Sequence, residues 1–98
     1  MTRMKRLKKL QEDLSSAYGE EQEIWIKRNK IKIGSEVEII FCPTAFNYGW
    51  RNYWVREMDN FIGRKGTVRK VDGSYGIMVM SLIMPVEYYF PFFVLKKV

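Results

Sequence analysis

Residues Ile62 to Met80, IGRKGTVRKVDGSYGIMVM, constrain the fold more than any other stretch. Gly63 and Gly66 punctuate its start. Lys65 to Val71 is rich in β-prone residues, and Tyr75 to Ser81 is a second such run. Asp72-Gly73 lies between them, which predicts a two-residue hairpin. In the return strand Ile77 and Val79 face one way and Met78 and Met80 the other. Both faces are apolar, so one of them is expected to lie under a loop or a helix.

The flanking chain adds short strands and one helix. Leu7, Leu10, Leu14 and Ala17/Tyr18 recur at helical spacing and predict an amphipathic helix over 2–17, capped by Thr2 and stopped at Gly19. Glu20 to Glu23 reads as an acidic connector. Residues 1–23 thus form one unit and 24–98 a β-rich domain. Ile24-Trp25-Ile26 opens extended structure, and Lys30 to Ile33 alternates as a half-buried strand does. Glu36 to Phe41 is a further strand, ended by Pro43. Glu87 to Phe90 and Phe92 to Val98 complete the set. Residues 42–61 break the alternation and hold six aromatics, Phe46, Tyr48, Trp50, Tyr53, Trp54 and Phe61. They read as a long loop with a helical turn near 53–60. Loops of this length are functional or disordered, and so many aromatics argue against disorder. Five to six short strands without βαβ alternation point to a mainly β, small antiparallel barrel with an N-terminal helix.

Three function classes are narrowed by composition. The chain has no His and one Cys, Cys42, which removes the common metal-site spacings and any intramolecular disulfide. General acid–base chemistry is left with scattered carboxylates: Glu36/Glu38 on a strand, Glu57/Asp59 in the loop, Asp72 in the turn. Cys42 lacks a His base and reads as a small buried apolar group. No enzyme, catalytic residue, metal or cofactor is expected. No apolar run approaches a membrane span and the basic N-terminus lacks a signal-peptide core, so a cytoplasmic protein without membrane contact is expected.

The charge then becomes informative. Of 17 basic and 11 acidic residues, residues 1–23 hold five of each, so the body carries the whole net +6. A basic body suits an anionic partner, nucleic acid or a nucleoprotein complex; it equally suits solubility alone.

The run Gly34-Ser35-Glu36-Val37-Glu38-Ile39, the Gly63-x-x-Gly66-Thr67-Val68 motif and Gly76-Ile77-Met78-Val79 together resemble the Src-homology-3-like small barrels. The likeness is closest to KOW-type domains, with Mind-bomb-type and CAP-Gly barrels as cousins, and covers residues 31–98. It implies that Gly66 takes the signature glycine and that the barrel binds RNA, ribosomes, polymerases or peptides. The long segment 42–61 departs from the KOW pattern, and the Gly-Lys-Asn-Asp-Gly run of CAP-Gly domains is absent. Trp54, Met58-Asp59, Ile62-Gly63 and Tyr89-Phe90-Pro91 also resemble small accessory proteins encoded by bacteriophages.

Two candidate sites follow. Tyr48, Trp50, Arg51, Tyr53 and Arg56 interleave aromatic and guanidinium groups, which suits base stacking with phosphate pairing and equally a protein interface. Tyr48, Trp50, Arg51 and Tyr53 are expected to be exposed, Trp54 and Phe61 to be core. Lys30, Lys32, Arg64, Lys65, Arg69 and Lys70 are expected to align as a basic stripe across adjacent strands, giving salt-dependent binding lost on charge reversal at Lys65 and Arg69. The helix is expected to dock on its own barrel; dimerisation or phosphate contact are the alternatives.

Overall fold

The protein's structure, a computed structural model, describes residues 17–43, 49–83 and 85–98. Among these it is mainly β. A helix, α1, runs over 17–29. Five strands follow: β1 (Glu36–Ile39), β2 (Lys65–Asp72), β3 (Gly76–Ser81), β4 (Glu87–Phe90) and β5 (Leu95–Lys97). They form one antiparallel sheet in the order β4-β3-β2-β1-β5.

The two edge strands of that sheet are consecutive in sequence. Five flat strands would hold β4 and β5 roughly 19 Å apart at the usual lateral spacing. Only Pro91 and a 3-10 turn over Phe92–Val94 join them, a link that reaches about 13 Å. The sheet therefore curls. Its concave side holds Val37, Ile39, Val68, Ile77, Val79, Phe90, Val94 and Leu95, all buried. Met58 and Phe61, from a 3-10 helix over Arg56–Phe61, fill the same core.

Helix α1 corrects the sequence reading. The 20–23 segment is not a connector, Ile24 to Ile26 is not extended, and Gly19 lies inside the helix. The cause is a helical stripe that contains a polar residue. Tyr18 and Gln22 are buried, with Trp25 and Ile26 half-buried behind them, at spacings of four, three and four. Glu20, Glu21 and Glu23 precede Lys27 and Arg28, the order that the helix dipole favours. The helix ends in a Schellman motif: Ile31 N–H donates to the Ile26 carbonyl at 2.9 Å and Lys30 N–H to that of Lys27 at 3.3 Å. Lys30 takes the left-handed position, φ 54°. Lys30 to Ile33 is thus a cap and a turn rather than a strand. The predicted helix over 2–17 lies outside the described residues except for Ala17, which begins α1.

α1 docks on its own domain. Tyr18 packs at 5.2 Å from the Phe92 ring and Trp25 at 6.2 Å from it. Where Gly19 passes Gly73, an added Cβ would stand 2.9 Å from the Gly73 carbonyl oxygen. Further along, Gly34 N–H donates to the Val68 carbonyl and Val68 N–H to that of Ser35, both at 2.8 Å. α1 and the turn after it therefore follow β2 from Val68 to the hairpin tip.

The strand boundaries also shift. Phe92–Val94 is a 3-10 turn, so the last strand shortens to Leu95–Lys97. The hairpin is not a two-residue Asp-Gly turn: Asp72 pairs with Gly76 across a three-residue loop. The glycine that needs its freedom is Gly76, at φ 111°. Asp72 instead braces the loop, its Oδ1 accepting from the Ser74 and Tyr75 N–H groups at 3.3 and 3.2 Å.

Candidate functional site

The predicted basic stripe separates into two groups. β2 and β3 pair as Val68↔Val79 and then Lys70↔Met78, which leaves Arg69 as a bulge. Facing residues of an antiparallel pair share a side, so the convex side of β2 carries Lys65, Thr67 and Lys70. Without the bulge, Lys65 and Lys70 would point to opposite sides. Arg69 and Lys70 lie next to the turn that holds Lys30 and Lys32, because that turn is bonded to Val68. All four side chains are exposed. Among the described residues none of the four belongs to an ion pair; the pair formed is Lys27–Glu23, on α1 at 3.2 Å.

Arg64 and Lys65 belong to the other end of β2. There Glu38 pairs laterally with Lys65 on one side and Lys96 on the other. A cleft of about 140 Å³ is lined by Glu38, Lys65, Lys96, Lys97 and Val98. Lys96 and Lys97 lie near the end of the sequence, 31 and 32 residues from Lys65. Only the β1–β5 pairing brings them to Lys65, and no local signal encodes it.

The aromatic segment is mostly structural. Tyr48 lies outside the described residues. Trp50 is 3% exposed, which overturns its expected exposure. Its indole N–H donates to the Tyr75 carbonyl, and Arg51 N–H donates to the Ser74 carbonyl at 2.8 Å. The segment thus straps the hairpin tip from inside. A large ring with one polar atom is buried where that atom finds an acceptor, and the tip supplies it. Trp54, expected in the core, is half-buried and packs against it, edge-on to Phe90 at 5.6 Å, with its N–H on Asp59 Oδ1 at 2.7 Å. Phe61 is core. Arg51, Tyr53 and Arg56 are exposed, Tyr53 at 73%. Arg56 borders an open polar cleft of about 360 Å³ shared with Glu57, Asp59 and Asn60. Cys42 is exposed rather than buried. Local desolvation and the Asp59 carboxylate push its thiol above the ordinary range, away from the reactive thiolate.

Three elements therefore meet at residues 72–76. From α1, Tyr18 donates its hydroxyl to Gln22 Oε1 at 2.7 Å, and Gln22 Nε2 donates to the Asp72 carbonyl at 2.8 Å. The Tyr18 oxygen also accepts from Phe92 N–H at 3.2 Å. Burial pushes this phenol far above its ordinary range, against the opposing effect of the Phe92 bond. The loop contributes Trp50 and Arg51. From β4, Tyr89 lies beside Met78 in the row Lys70–Met78–Tyr89, and its ring is 6.2 Å from that of Tyr75.

Among the described residues no group of three or more His, Cys, Asp or Glu is placed to hold a metal ion. No described helix is long and apolar enough to cross a membrane. Compared with protein-family models, with curated proteins and with solved structures, the chain matches none.

Proposed function

We propose that the chain is a non-enzymatic binding module that associates with RNA, DNA or a nucleoprotein complex. One observation carries this reading: the bonds between Val68 and the turn at Gly34-Ser35 set Arg69 and Lys70 beside the turn that holds Lys30 and Lys32, and among the described residues no carboxylate is ion-paired with any of the four. Four exposed cations close together attract a polyanion and release its counterions on binding. The Src-homology-3-like resemblance is supported by the curl of a five-stranded sheet whose edge strands are joined by a 3-10 turn.

The test is the affinity of labelled oligonucleotides across a salt series. The variant Arg69→Glu/Lys70→Glu is expected to lower the slope of log K on log salt by about two, one per lost phosphate contact. Lys65→Glu is expected to lower it by less, since Glu38 already offsets that end. No binding to any nucleic acid at low salt would end the proposal.

A protein partner is the second reading. It is favoured by Leu82 and Ile83, 59% and 73% exposed in the β3–β4 connection, and by exposed Tyr53. It predicts pull-down partners that survive nuclease treatment and are lost on Ile83→Ser.

A further inference from the structure

We infer that the nucleic acid held by this domain is single-stranded, with bases stacked on Tyr75 and Tyr89 at the hairpin tip. The inference rests on the nucleic-acid reading above and specifies its substrate. Lys70, Met78 and Tyr89 form one lateral row on the convex side of the sheet. Tyr75 extends the row beyond the strand end, 47% exposed. Its ring is tilted by 50° to that of the half-buried Tyr89, so the two do not cover each other's faces by flat stacking. Such faces accept any unpaired base, whereas a duplex keeps its bases stacked inside.

The platform is rigid, which lowers the ordering cost of binding. The Tyr75 backbone is fixed by Trp50 from within and by Asp72 from its own loop. Gly76 cannot be enlarged, since an added Cβ would collide with the Phe90 carbonyl. Charge complementarity selects the occupant. Lys70 begins the row, Arg69 and the 30–32 turn continue from it, and exposed Arg51 is tied by its N–H to the Ser74 carbonyl. The carboxylates nearby are Asp72, engaged with the loop N–H groups, Glu87 across Met80 at the far end of β4, and Glu20 and Glu21 beside Gly19. They border the platform at the tip and along β4, leaving the Lys70 side as the route for phosphates.

The experiment uses the full chain and fluorescein-labelled 12-mers: a mixed-sequence RNA strand, the matching DNA strand, and their duplexes. Anisotropy is read at low and moderate salt. Single strands are expected to bind more tightly than duplexes. Tyr75→Leu and Tyr89→Leu, checked for an unchanged thermal melt, are each expected to weaken single-strand binding between about fivefold and a hundredfold without changing the salt slope. Equal or tighter binding of duplexes would overturn the inference. So would single-strand affinity unchanged in both Leu variants while Arg69→Glu/Lys70→Glu abolishes it; in that case the basic rim stands and the platform falls. If polyglutamate competes as well as the single strand does, charge alone is recognised and stacking is refuted. Absence of all binding removes the underlying reading with it.

Discussion

The two ends of β2 carry similar numbers of cations and differ in everything between them. At the Lys65 end, charges alternate across the sheet as Lys96, Glu38, Lys65, and the neighbouring bonds run from backbone to backbone, Ile39 N–H to Arg64 and Gly63 N–H to Ile39. At the Asp72 end, the bonds run from buried side chains to backbone: Gln22 to Asp72, Trp50 to Tyr75. Bonds of the first kind hold a sheet together whatever the side chains are. Those of the second kind fix one loop in one place and depend on particular residues. A position held in this way suits a site, and the exposed cations Arg69 and Lys70 begin beside it.

The sharpest way to break this comparison is Trp50→Ala. The substitution leaves a large cavity and an unpaired Tyr75 carbonyl, and is expected to cost about 3–5 kcal/mol of stability in urea titration. The tip would lose its order with the fold. A variant that melts normally would show that the strap is dispensable and that the tip is held no more firmly than the Lys65 end.

A pH series tests the α1 side of the same tip. The Tyr18 phenol is raised in the folded state, so folding favours the protonated form. The stability this contributes is complete below about pH 10, the unfolded value, and is lost as pH rises toward the folded value. Stability should therefore fall above pH 10 by up to about 1.4 kcal/mol per pH unit from this group. Tyr18→Phe should flatten that part of the curve, while being less stable at neutral pH by about 1–3 kcal/mol through the loss of a partner for Gln22 Oε1 and for the Phe92 N–H. Parallel curves for the two proteins above pH 10 would mean that the phenol is accessible and α1 is loosely docked.

How far the sequence reveals all this depends on the range of the signal. β2, β3 and β4 are legible because alternation and turn residues are local, and Phe61 is recognisable as core. The site is less so. A bulge at Arg69 has no marker in a run of Thr, Val, Arg and Lys, yet it decides which side Lys70 faces. Gln22 hides the helical stripe, because its burial depends on the Asp72 carbonyl 50 residues away. Trp50 looks like a binding aromatic until the Tyr75 carbonyl is found above it. Tyr75 and Tyr89 are adjacent only through the β3–β4 register, and Lys96 reaches Lys65 only through β1. Each of these is a contact between segments distant in sequence, and composition or spacing within one segment does not encode it.

The smallest expected effect tests the quieter end. Glu38→Gln removes the carboxylate between Lys65 and Lys96 and leaves their positions unchanged. If the Lys65 end is a solvated checkerboard, the gain is that of one surface charge. Oligonucleotide affinity at low salt should then rise by at most about fivefold, the equivalent of up to 1 kcal/mol. The Tyr75→Leu and Tyr89→Leu effects should persist undiminished in that background, because the tip remains the point of attachment. A rise as large as the loss caused by Arg69→Glu/Lys70→Glu would mean the reverse. Lys65, Lys96 and Lys97 would then form a second anion site that Glu38 holds shut, and the asymmetry between the two ends of β2 would rest on one side chain.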